Sequence, residues 1–224
     1  MLVQIYEVQT PEEAVTLVRL GVDHIGVLVG DGSFPRELSI ARTNAIFAAV
    51  PAGNKRVALS LSANLEEVAR VVEETQPDIV QVQATIEDFS VAMTRALKTR
   101  FPEIPIMRAV PVIDETSIEV AGSYRGVADF LLLDSYDLGT RQFGALGRTH
   151  DWSLSRRIVD DVCIPVILAG GLGPDNVAAA IAAVRPAGVD SKTKTDRPGG
   201  GGKDLVEVRA FVAAAKLTKR MPSP

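Results

Sequence analysis

The chain has 224 residues, 46% of them hydrophobic and 23% charged, with a net charge of −4. That length is enough for one sizeable core, and an acidic balance without a basic cluster argues against a nucleic-acid partner. One cysteine, Cys163, excludes an internal disulfide, and the start at Met1-Leu2-Val3-Gln4-Ile5 carries no leader pattern.

Predicted elements follow one another as short aliphatic runs and amphipathic stretches. The first strand covers 2–8 and hands over to a helix at 10–20. There Thr10 is an N-cap, Pro11 a first helical residue, and Glu12 and Glu13 the acids that suit a helix N-terminus. The second strand, 24–30, begins at His24 and precedes a helix at 39–50. The third, 56–62, leads to a helix at 64–74 whose Leu65, Val68, Val71 and Val72 share one face. Strands at 79–84 and 105–112 are followed by helices at 86–100 and 115–122. The sixth strand, 130–135, ends at Asp134-Ser135, and a long loop at 136–151 precedes a helix at 153–161. The seventh, 165–171, runs into Gly170-Gly171, and Gly173-Pro174-Asp175-Asn176 opens a helix at 174–184. The eighth, 188–193, meets a loop at 192–202 and a last helix at 203–216.

Eight strand–helix units, about 28 residues each, imply an α/β fold in which right-handed crossovers close a parallel (β/α)8 TIM barrel. Residues 1–224 read as one domain, since neither a linker nor a composition shift divides them. An open doubly wound sheet is the alternative. The two long loops fall on the C-terminal rim, where such barrels keep their active sites. No apolar run approaches the ~20 residues a membrane helix requires, so the chain is expected in the cytoplasm, without a membrane partner.

The rim residues suggest an anion. Gly170 and Gly171 let backbone amides approach a ligand before a helix start, and Lys192, Thr193 and Lys194 end the eighth strand with two ammonium groups and a hydroxyl. These five are the expected phosphate-binding residues of a phosphorylated small-molecule substrate; a tight turn and solvated lysines are the plainer reading. No metal-ligand cluster stands out, and no metal or cofactor is expected. Cys163 is expected to pack in the barrel wall and His24 lies at the wrong end for catalysis. His150 reads as lid surface, with an acid–base group as the alternative, Trp152 as packing at a helix start, and the glycine run 199–202 as a flexible loop.

The ordered motifs resemble the phosphoribosylanthranilate isomerase family over nearly the whole chain. Leu168-Ala169-Gly170-Gly171-Leu172 with Pro174 and Asn176-Val177 is similar to the family's seventh strand. Pro35-Arg36 resembles its Ser-Pro-Arg, and Asp78-Ile79-Val80-Gln81-Val82-Gln83 its Asp-Ile-Val-Gln-Leu-His. Leu131-Leu132-Leu133-Asp134-Ser135 is similar to the strand bearing the family's catalytic acid. Gly144-Ala145-Leu146-Gly147-Arg148-Thr149-His150-Asp151-Trp152 resembles Gly-Gly-Thr-Gly-Lys-Thr-Phe-Asp-Trp, and Lys203-Asp204 the closing Lys-Asp.

The resemblance implies a cytoplasmic isomerase of tryptophan biosynthesis, monomer or homodimer, that converts an aminoaldose phosphate to an aminoketose phosphate by an Amadori rearrangement. It implies Asp134 as the general acid, Arg36 as the receptor of the substrate carboxylate, and Gln81, Gln83 and Asp190 as further substrate contacts. The departures are equally specific. The family's Lys-Ile-Cys-Gly is here Gln4-Ile5-Tyr6-Glu7, so Tyr6 stands where the catalytic cysteine is expected and Glu7 where the glycine is. A phenol is a poor base near neutrality, and strand alternation would point Glu7 away from Tyr6. The substitute base is sought among Glu7, Tyr6 and Asp190. Gln83 replaces a histidine, and Lys192-Thr193-Lys194 replaces Ser-Ser-Gly. The alternatives are a diverged paralogue acting on another sugar phosphate, as isomerase or lyase, or a non-catalytic phosphate-binding barrel.

Overall fold

The computed structural model describes residues 1–199 and 201–217, so Gly200 of the glycine run and the end of the expected domain lie outside it. Eight parallel strands form the wall: β1 (Leu2–Ile5), β2 (His24–Leu28), β3 (Lys55–Ser60), β4 (Ile79–Val82), β5 (Ile106–Val112), β6 (Phe130–Asp137), then β8 (Val166–Leu168) and β9 (Gly188–Ser191). Each pairs with its neighbours in that order, β9 returns to β1, and the ring is closed. A ninth, two-residue strand, β7 (Gln142–Phe143), folds back antiparallel on the end of β6.

The helices are α1 (Pro11–Arg19), α2 (Ile40–Ala49), α3 (Leu65–Thr75), α4 (Val91–Arg100), α5 (Thr116–Ser123), α6 (Trp152–Asp161), α7 (Val177–Val184) and α8 (Leu205–Leu217). Their starts follow the expected capping chemistry: the side chains of Thr10, Ser39, Asn64, Ser90 and Asp151 accept first-turn amides. None of the described helices is long and apolar enough to cross a membrane.

Buried apolar residues form two layers. Leu28, Val57, Leu59, Met107, Ala109, Leu132 and Ile167 fill the inside of the ring, and a larger layer including Ile5, Val27, Val110, Leu133 and Leu168 packs the strands against the helices. Arg108 of β5 is fully buried on the helix side of the wall. It donates to the carbonyls of Val82, Ala84 and Phe89 and to the Tyr124 hydroxyl, between the Phe89 and Tyr124 rings.

Boundaries depart from the sequence reading where side chains capture the backbone. Helix α4 starts at Val91 rather than at 86 because Ser90 caps it. Helix α7 starts at Val177 because the Asn176 amide is spent on the preceding turn: it accepts from the Gly173 amide at 2.9 Å and donates to the Gly171 carbonyl at 3.0 Å. The loop read over 136–151 contains the β6–β7 hairpin, whose turn is fixed by Asp137 Oδ1 accepting from the amides of Gly139 and Thr140. Residues 193–195 form a short 3-10 turn instead of extending the eighth strand. Cys163 is exposed rather than packed in the wall; Val162 before it fills that place.

Candidate active site

At the C-terminal mouth of the ring is a cavity of about 810 Å3. Strand ends supply its floor: Tyr6 after β1, Gln81 of β4 with Gln83 just beyond it, Asp134 of β6, and Asp190 of β9. Loops supply its walls: Phe34, Pro35 and Arg36 after β2, and Arg141 to Ala145 on and after the hairpin. Five of the seven residues expected to act on substrate are therefore floor groups, and Glu7 and Arg36 complete the lining.

Glu7 is the first correction. Strand alternation would have turned it away from Tyr6, but β1 ends at Ile5 and Glu7 adopts a left-handed backbone (φ 59), which brings both residues to the cavity. Such a conformation costs a non-glycine residue on the order of 1 kcal/mol, which explains a glycine at this place in the resembled motif.

Tyr6 is not a base. Burial, with the charge of Asp190 adding to it, pushes its phenol well above 10, and its hydroxyl donates to Gln81 Oε1. Gln81 Nε2 in turn donates to Gln83 Oε1 at 2.8 Å, and the Gln83 amide lies beside Asp134. A chain of donors thus runs from the cysteine position to the expected acid. Gly26 makes room for it, since a Cβ there would fall inside the Tyr6 ring.

The two aspartates are the most perturbed carboxyls of the site. Burial raises Asp134 to about 6, against the opposing donors of Ser135 and Gln83; the Ser135 amide is 2.7 Å from Oδ1. Asp190 is raised to about 8, by burial first and by the charge of Asp134 second. Its Oδ1 is buried without a hydrogen-bond partner among the described residues. Near neutrality the pair therefore shares one proton, held mainly by Asp190, although Asp134 was the expected acid. Gly144 fits the site closely: a Cβ would lie 2.5 Å from Asp134 Oδ2 and 2.7 Å from Gln83 Nε2.

A second, narrower pocket opens beside Asp134 and Asp190, bordered by Gly170, Gly171, Leu172, Thr193 and Lys194. Among the described residues, the amides of Gly170, Gly171, Thr193 and Lys194 have no acceptor, and Gly170 and Gly171 both have positive φ (83 and 59). Free amides suit an oxyanion. Lys192 borders both pockets, and its ammonium makes ion pairs with Glu7 at 3.3 Å and Asp196 at 3.6 Å.

Asp196, unnoticed in the sequence, organises that corner. It pairs with Arg36 Nη1 at 3.2 Å and with the fully buried Lys203 ammonium at 2.7 Å. A single acid among four cations in the 192–203 stretch was the available signal. His150 is not lid surface. Burial lowers it to about 4, its Nε2 contacts Ser155 Oγ at 2.7 Å, and its ring backs onto Gly170. His24 bonds Gln4 Oε1 in the interior, at the opposite, N-terminal end of the strands. Among the described residues no group of three or more His, Cys, Asp or Glu is placed to hold a metal.

Comparisons with known proteins point one way. A model of the N-(5′-phosphoribosyl)anthranilate (PRA) isomerase family matches residues 3–214. The N-(5′-phosphoribosyl)anthranilate isomerase of Methanocella arvoryzae is 35% identical over 220 residues, 97% of this chain and 99% of that one. Among solved structures, phosphoribosyl anthranilate isomerase from Thermotoga maritima superposes with a TM-score of 0.83 at 28% identity, covering 96% of this chain and 98% of that one. A complex of such an isomerase with reduced 1-(o-carboxyphenylamino)-1-deoxyribulose 5-phosphate gives a TM-score of 0.80 at 27% identity, with the same coverage.

Proposed function

The chain belongs to the N-(5′-phosphoribosyl)anthranilate isomerase family, and from that premise we propose that it catalyses an Amadori isomerisation of a 5-phosphorylated ribosylamine in the cytoplasm, with Asp134 and Asp190 as a coupled acid–base pair. The observation that carries the reading is the pairing of two buried, raised carboxyls in one cavity beside a cradle of free amides.

The substrate phosphate sits at the amides of Gly170, Gly171, Thr193 and Lys194, with the ribose over the two aspartates. The proton shared by the pair goes to the furanose ring oxygen as the C1–O bond breaks and the nitrogen lone pair forms C1=N. Two ionised carboxyls then occupy one buried cavity, and their repulsion favours recapture of a proton. That proton comes from C2. The C–H electrons become the C1=C2 bond of the enolamine, and the iminium pair returns to nitrogen. Transfer of the C2 hydroxyl proton to C1 completes the aminoketose. The scheme needs neither a cysteine nor the Tyr6 phenol as base; Tyr6, Gln81 and Gln83 hold Asp134 in place.

The test is turnover of N-(5′-phosphoribosyl)anthranilate and of its aniline counterpart, followed by the absorbance and fluorescence of the aryl amine. Formation of aminoketose phosphate from either, lost in Asp134→Asn, supports the reading. A folded protein that turns over neither would overturn it.

A further inference from the structure

The aryl end of the cavity differs in charge from what the resemblance implies, and the difference is built by Glu7. The Arg36 guanidinium is already charge-compensated by two carboxylates, although Nε and Glu7 Oε2 lie side by side without a hydrogen bond. Nε lies 3.0 Å from Glu7 Oε2, Nη1 lies 3.2 Å from Asp196 Oδ2, and Nη2 donates to the Glu7 carbonyl at 2.8 Å. Lys192, the next cation, is held by the same two carboxylates, and Lys203 by Asp196 and the Lys192 carbonyl. Arg36, Glu7 and Asp196 have side-chain exposures of 15%, 12% and 11%, so bulk water screens the corner only weakly.

Both members of the central pair depart from ordinary backbone geometry to meet. Glu7 has φ 59 and Arg36 φ 69, the left-handed region that side chains avoid. Leu28, Phe34, Leu59, Leu61 and Phe143 give the cavity an apolar share of its wall. Arg141 also borders the cavity, but on the exposed hairpin, where solvent screens it.

We propose that the nitrogen substituent of this protein's substrate is an uncharged aromatic or apolar group without a carboxylate, since the arginine fork that would receive one is closed by Glu7 and Asp196. A ligand carboxylate would have to displace Glu7 or sit beside it, and like charges side by side in a poorly solvated pocket are costly. A ring bearing a hydroxyl or amino donor toward Glu7 is compatible. This inference rests on the isomerase reading and narrows its substrate class.

The experiment compares two unreactive analogues by calorimetry. One is reduced 1-(o-carboxyphenylamino)-1-deoxyribulose 5-phosphate; the other is its phenylamino counterpart without the carboxyl. The wild-type protein should bind the phenyl compound about tenfold or more tightly over the carboxyphenyl one. Glu7→Gly, which suits a positive φ and frees Arg36, should reverse that order, and Glu7→Gln should move it the same way by a smaller factor. Preference for the carboxyphenyl compound in the wild type, or an order that neither variant shifts, would overturn the inference while leaving the isomerase reading intact. Failure of both compounds to bind would overturn the two together.

Discussion

Replacing Asp190 by Asn should stabilise the fold at mildly alkaline pH. Burial and the neighbouring charge of Asp134 lift the Asp190 carboxyl from 3.8 to about 8. A carboxyl with a higher pKa folded than unfolded binds protons more tightly in the native state. Its contribution is therefore complete below about pH 4 and is lost as pH rises to about 8. Each pH unit in that window is worth about 1.4 kcal/mol, which sets a ceiling of roughly 5–6 kcal/mol for the whole interval. The Asn amide must sit where Oδ1 now has no partner, and its desolvation takes back about 1–3 kcal/mol. The expected net gain is about 3 kcal/mol at the alkaline end, with a small loss at the acid end. Urea unfolding of both proteins, followed by circular dichroism across this interval, reads the effect directly. The wild-type midpoint should fall relative to that of the variant as pH rises, so the two curves cross. Parallel curves, separated by a constant offset, would refute the assignment of a raised pKa to Asp190.

Other expectations follow from the same geometry. The pH profile of kcat/KM should be bell-shaped with apparent limbs near about 6 and about 8, properties of the Asp134–Asp190 pair rather than of either residue; a profile level across that range would exclude the pair as acid and base. Gly144→Ala would place a Cβ 2.5 Å from Asp134 Oδ2 at a φ of 76; kcat should fall about tenfold or more with the fold retained, read by turnover beside a melting curve. Arg108→Ala removes the donor to three buried carbonyls and the Tyr124 hydroxyl, and should lower unfolding stability by about 3 kcal/mol while the folded fraction keeps its KM. Inorganic phosphate should protect the fold against heat, and Gly171→Ala should weaken that protection, because a Cβ at 171 would meet the Arg148 backbone at 2.6 Å.

The barrel was legible because its evidence is repetitive. Eight aliphatic runs ending in small or polar residues and eight helical stretches, five of them with side-chain caps, agree with one another, and Thr10-Pro11-Glu12-Glu13 forms the helix start its chemistry implies. Asp134 was legible as the polar end of a wholly apolar strand, and Gly170-Gly171 as a turn where backbone must come close to something else. What escaped depends on contacts between distant segments or on single dihedral angles. Glu7 was misplaced because alternation holds only inside a strand, and the strand stops two residues earlier. The ion pairs of Lys192 were not legible because its acidic neighbours Glu7 and Asp196 come one from the far end of the chain and one from the same loop. Gln83 read as the loss of a titratable group, but its amide carries the hydrogen-bond chain from Tyr6 toward Asp134. His150 seemed peripheral because nothing in a loop sequence tells which side chain folds under Gly170.

The most direct measurement is kcat/KM for the aniline-derived ribosylamine 5-phosphate in three proteins: wild type, Tyr6→Phe and Asp190→Asn. The carboxyl pair predicts that Tyr6→Phe stays within about tenfold of wild type, and that Asp190→Asn loses a factor of about 10²–10⁴. Full activity in Asp190→Asn, or its collapse in Tyr6→Phe alone, would contradict it.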